Sequence, residues 1–191
     1  MFQYLKKYQK FLLLAVLFTL VFLLEFKLHN YNLSNKQPVI NIIISLLECS
    51  VLMLTGFFYF QTYKFHRICS SYYNKRTFET KNYFRFLGVP IFQVILINSF
   101  MRYINPRVYL KGRKRDYIKI LHEETRQSET AHIISLIVTI PFQTSYFLYD
   151  KLLIFSFLTF FSIFFNVYPI LLQRMNRFAL EERFHGHINN G

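Results

Sequence analysis

The chain has 191 residues, 53% of them hydrophobic and 20% aromatic, with 24 Phe, 14 Tyr, no Trp and a formal net charge of +13. Apolar runs separated by Lys/Arg-rich connections exclude an ordinary soluble domain and make the basic excess topological and lipid-facing. No nucleic-acid reader motif accompanies the charge, so no nucleic-acid partner is expected.

At the N-terminus, Lys6, Lys7 and Lys10 precede an apolar run, as in a signal peptide, but Glu25, Phe26, Lys27 and Leu28 stand where a small-residue cleavage site would be. An uncleaved anchor spanning about 8–28 is predicted. A second span over 39–60 opens after Pro38 and carries Asn41, Ser45, Glu48 and Thr55. A carboxylate at membrane depth costs at least ~2.5 kcal/mol on insertion scales, so Glu48 should face protein or water. It is either a protonated group bonded between helices or a substrate-binding residue.

Residues 61–85 are polar, Tyr-rich and basic, as expected of a cytoplasmic connection. The apolar segment 86–101 is short and broken by Gly88, Pro90, Gln93 and Asn98, and a further basic block follows it. A full crossing would strand one basic block outside, so a re-entrant or interfacial segment is predicted. An amphipathic helix over 116–130 then runs into a span over 133–149, in which Pro141 should kink the helix and free the Ile137 carbonyl. Asp150-Lys151 forms an outer turn, a span over 152–172 returns with Asn166 and Pro169 disturbing its last turns, and a mobile tail occupies 178–191.

The fold class that follows is an all-α integral membrane protein, with four transmembrane helices plus one re-entrant or interfacial segment. It forms a single membrane-embedded domain over 1–191, since nothing outside the spans is long enough to bury a separate core. Both termini fall on the cytoplasmic side with the basic loops, which would meet anionic lipid headgroups. Cys49 and Cys69 show neither disulfide nor metal-ligand spacing, so free thiols and no metal site are expected.

Two polar clusters carry the candidate chemistry. In the first, Arg126, Glu129 and His132 recur every three residues and share a helix face, so Glu129 could orient the imidazole and hold it basic for proton transfer. A plain interfacial histidine is the competing reading. In the second, Asn166, Gln173 and Arg177 lie within about 40° of one line along a helix. The amides of Asn166 and Gln173 cost energy at this depth unless satisfied, which makes them natural donors to a carbonyl or a sugar hydroxyl. Arg126, Arg174 and Arg177 could equally be surface anchors that snorkel to phosphates. The turn at Asp150-Lys151 should bring both clusters to one membrane surface.

Glu124-Thr-Arg-Gln-Ser-Glu-Thr-Ala-His132, an apolar hairpin, and then Asn166-Val-Tyr-Pro-Ile-Leu-Leu-Gln-Arg-Met-Asn-Arg177 together resemble the glycosyl-4,4'-diaponeurosporenoate acyltransferases, small integral-membrane enzymes of staphyloxanthin-type carotenoid synthesis. The resemblance implies transfer of a fatty acyl group to a sugar hydroxyl of a glycosylated lipid in a bacterial cell membrane. It places Glu129, His132, Asn166, Gln173, Arg174, Asn176 and Arg177 at the family's recurring polar positions. Acyl-coenzyme A or acyl carrier protein would be the co-substrate, with no permanently bound cofactor. A non-enzymatic lipid-binding or assembly subunit is the alternative from the residues alone, and the sequence leaves the oligomeric state open.

Overall fold

The computed structural model describes residues 38–63, 70–99 and 117–183, with three single positions, 16, 19 and 23, all helical. Helices account for most of the described residues, and no strand occurs among them. Helix α1 is Pro38–Tyr63, followed by a 3-10 turn, Ser70–Tyr73, and two short helices, α2 (Lys81–Phe86) and α3 (Val89–Asn98). The long helix α4 is Tyr117–Leu148; α5 (Leu152–Ser162) runs through a π turn, Ile163–Val167, into α6 (Tyr168–Arg183).

Three stretches are long and apolar enough to cross a membrane: Pro38–Gly56, Ile120–Leu148 and Leu152–Glu182. The fourth expected span, 8–28, lies outside the described residues apart from those three single positions. α3 has ten residues, about 15 Å of helix, and is too short to cross. The chain therefore has three candidate spans among its described residues where four were expected.

α1 is inverted relative to a helix on a soluble protein. Asn41, Ser45, Glu48 and Thr55 are buried while Val39, Ile43, Leu47 and Leu54 are exposed. Spacings of four, three and seven residues put the polar groups on one stripe, so the apolar remainder is left to face lipid.

The contacts gather the chain into two compact units: Met1–His66 with Ala131–Val167, and Arg67–Thr130 with Tyr168–Gly191. The first has a core of Cys49, Leu52, Phe142, Tyr146, Ile154 and Leu158. Here α1 packs along α5 and meets α4 at Gly56, where an added Cβ would stand 2.8 Å from the Ser135 backbone. Small residues permit this close approach of two membrane helices. α4 continues through Pro141 and closes at Tyr149–Asp150. The Lys151 N–H donates to the Tyr146 carbonyl at 3.0 Å and the Asp150 N–H to that of Phe147 at 3.3 Å, with Asp150 at φ 56°. This is a Schellman closure in which Asp takes the left-handed position that usually falls to Gly.

In the second unit Thr80 caps α2, accepting from the Tyr83 N–H at 3.2 Å. Gly88 turns the chain at φ 72° into α3, a conformation open to glycine at little cost. Phe92 packs on Tyr168 of α6, with ring centroids 5.1 Å apart. α6 is helical through Arg183, so 178–183 of the expected tail continue the helix. Phe178 and Leu180 are buried, and the Phe178 ring lies 6.2 Å from that of Phe84. Burial of Phe178 and Leu180 holds these residues, while 184–191 lie outside the described residues.

Candidate active site

The two polar clusters meet in two places. In the second unit Glu129 is fully buried, and its two carboxylate oxygens accept from separate guanidiniums: Arg174 Nη1 at 3.1 Å and Arg177 Nη1. Arg174 also holds Glu79, with Nη2 donating to Oε2 at 3.0 Å and Nε 2.7 Å from Oε1. The backbone N–H of Arg76 donates to the same carboxylate at 2.7 Å. Arg174 and Arg177 lie three residues apart and so share a face of α6. Their charge is matched by two carboxylates, which is what a buried network requires.

Aromatic rings and backbone carbonyls complete the enclosure. The Arg174 guanidinium lies over Tyr72 at 5.1 Å and that of Arg177 over Tyr73 at 5.2 Å, with Phe178 under both. The carbonyls of Tyr72, Tyr73 and Asn74 accept further guanidinium N–H groups. The Thr130 hydroxyl donates to the Arg126 carbonyl at 2.8 Å, so the hydroxyl of Tyr73 donates to Thr130 Oγ1. Burial pushes the Tyr72 and Tyr73 phenols above their ordinary range, and the nearby Glu129 carboxylate adds to the effect on both.

In the first unit His132 faces the Asn166 side chain and the backbone of Phe165. The π turn and Pro169 explain why this backbone is on offer. Proline has no N–H, so the carbonyl four residues earlier, that of Phe165, loses its helical partner, and widened turns of this kind recur at functional sites. Asn166 sits within the turn and is fully buried. His132 Nδ1 and both amide atoms of Asn166 are buried without a partner at hydrogen-bond geometry. The two side chains are therefore near enough to interact but not aligned into a formed bond.

Glu129 and His132 thus have different partners, guanidiniums for one and Asn166 for the other. Arg126 is half-buried, 3.4 Å from Glu123, with its guanidinium 5.4 Å from the Tyr73 ring centroid. Gln173 is half-buried and Asn176 buried in the second unit. Glu48 belongs to the first unit, where it accepts from the Tyr146 hydroxyl at 3.0 Å. Tyr146 lies fourteen residues beyond His132 on α4, about 21 Å along the helix, so Glu48 stands apart from the His132–Asn166 pair. No group of His, Cys, Asp and Glu among the described residues is placed to hold a metal ion.

The sequence reading missed Glu79, Tyr72 and Tyr73. A signal for the first was present, since Glu79 is the one acidic residue between Glu48 and Asp116 in a strongly basic stretch.

The family model of the glycosyl-4,4'-diaponeurosporenoate acyltransferases matches residues 69–184. The chain belongs to this family. Membership makes it, at family level, a glycosyl-carotenoid acyltransferase of the membrane. The matched region contains Glu79, Glu129, His132, Asn166, Arg174 and Arg177 and leaves Glu48 outside. No curated protein and no solved structure matches the chain.

Proposed function

We propose that the protein moves a fatty acyl group from an acyl thioester to a hydroxyl of a glycosylated lipid in the bacterial cell membrane, with both chain termini cytoplasmic. Family membership supports the reaction class, and the approach of His132 to Asn166 is the observation that carries the assignment of residues. His132 takes the proton of the acceptor hydroxyl as its oxygen attacks the thioester carbonyl. The C–O bond forms, the C–S bond breaks, and the proton passes from the imidazolium to the departing thiolate. The Asn166 amide donates to the carbonyl oxygen as it gains charge, where a preorganised donor has most effect.

Glu129 accepts from Arg174 and Arg177 and so holds its own unit together. Acyl-coenzyme A or acyl carrier protein supplies the acyl group, drawn by the chain's net charge of +13. The closure of Glu129 by two arginines favours a second reading, a lipid-binding subunit without catalysis, because a carboxylate so engaged has a structural use.

Comparison of lipid extracts by mass spectrometry separates the two. Cells carrying the intact chain should contain a glycolipid heavier by one fatty acyl group. Cells with His132→Ala at equal protein level should make it about 10²–10⁴ times more slowly. Equal product from both removes His132 as the base, and product from neither selects the lipid-binding subunit.

A further inference from the structure

α3 presents the wrong residues to its surroundings for a helix on a water-facing surface. Ile91, Val94 and Ile95 stand at i, i+3 and i+4 and are 68, 56 and 49% exposed. Val89 and Phe92 on the other face are buried. Of the ten residues none is charged. Phe86, at the corner before the helix, is 89% exposed, and Phe78 is 59% exposed. An outward apolar stripe, with two exposed aromatic rings in the segment just before it, marks a surface suited to an apolar contact.

The charge around it identifies the partner. Residues 70–99 hold Lys75, Arg76, Lys81 and Arg85 against the single acid Glu79, whose carboxylate is buried against Arg174. All four basic residues are exposed, and Lys75 and Lys81 also reach Glu182. Apolar side chains flanked by Lys and Arg complement an acyl-chain boundary beneath anionic headgroups. A helix of this length is too short to cross, and an apolar stripe flanked by basic residues suits a position in the interface plane.

We propose that α3, with Phe78 and Phe86, is an interfacial docking surface for an anionic lipid leaflet. The lipid is a binding partner in its own right, independent of the acyl-transfer reading. Its apolar stripe enters the outer acyl region while Arg76, Lys81 and Arg85 meet lipid phosphates.

The absence of Trp from the chain makes the surface easy to interrogate. Ile91→Trp and Phe86→Trp are made separately in the full chain, purified into nanodiscs of phosphatidylcholine with or without phosphatidylglycerol. Lipids brominated near the headgroup should quench both tryptophans more than lipids brominated at the chain end. Adding Arg76→Glu and Arg85→Glu should shift emission to longer wavelength and reduce quenching in the phosphatidylglycerol discs only. Indifference to both brominated lipids would mean water or protein covers the face, and strongest quenching from the chain end would mean deep insertion; either overturns the proposal. Equal behaviour in the two kinds of disc overturns the anionic preference. A shift produced by an acidic carrier protein, without lipid quenching, would replace the lipid with a protein partner.

Discussion

In the unit of 67–130 and 168–191, buried charges answer one another: both carboxylate oxygens of Glu129 meet arginines, and Arg174 goes on to Glu79. In the unit of 1–66 and 131–167, Asn41 Oδ1, His132 Nδ1, Ser135 Oγ, Thr159 Oγ1, Ser162 Oγ and both amide atoms of Asn166 are buried without a partner at hydrogen-bond geometry. The charges had no alternative, because breaking a buried ion pair costs about 3–5 kcal/mol. A neutral amide, hydroxyl or imidazole left unsatisfied costs only about 1–3 kcal/mol, and its lone pairs and protons stay available. Matched charges suit holding a structure, and under-engaged neutral groups suit meeting a substrate.

The largest effect should come from breaking the matched network. Arg177→Ala leaves Glu129 buried with one of its two guanidiniums missing and should lower stability by about 3–5 kcal/mol, read by thermal unfolding of the detergent-purified protein. Unfolding at the intact protein's temperature would erase the contrast between the units. Asn166→Ala sharpens it from the other side: acyl transfer should fall about 10²–10³-fold while unfolding shifts little, because no fully formed bond is lost. A variant that unfolds readily would make Asn166 a structural group. Smallest is Tyr146→Phe, which removes the hydroxyl that Glu48 accepts and should cost about 1–2 kcal/mol with transfer unchanged. A loss of transfer in this folded variant would extend the working site to Glu48.

Much of this arrangement was legible where the signal is local. The helical period of α4 and α5 and the break at Asp150 follow from neighbouring residues, and they bring the cluster around Glu129 and His132 back to that of Asn166 to Arg177. The same sequence logic misassigned partners. Three-residue spacing suggests that Glu129 orients His132, but two arginines 45 and 48 residues away attract the carboxylate more strongly. Glu79 is 95 residues from Arg174, a separation at which no periodicity speaks. The polar composition of 178–183 hid Phe178 and Leu180, whose burial extends α6 through these residues.

The sequence by itself determined that this is a helical membrane protein, where its polar residues concentrate and which family it resembles, because apolar length, charge bias and motif order are properties of the chain. Tertiary structure decided which polar groups spend their bonds on one another and which remain poised. That choice depends on distances between residues far apart in sequence, and burial makes each such pairing decisive by removing the water that would otherwise satisfy either group alone.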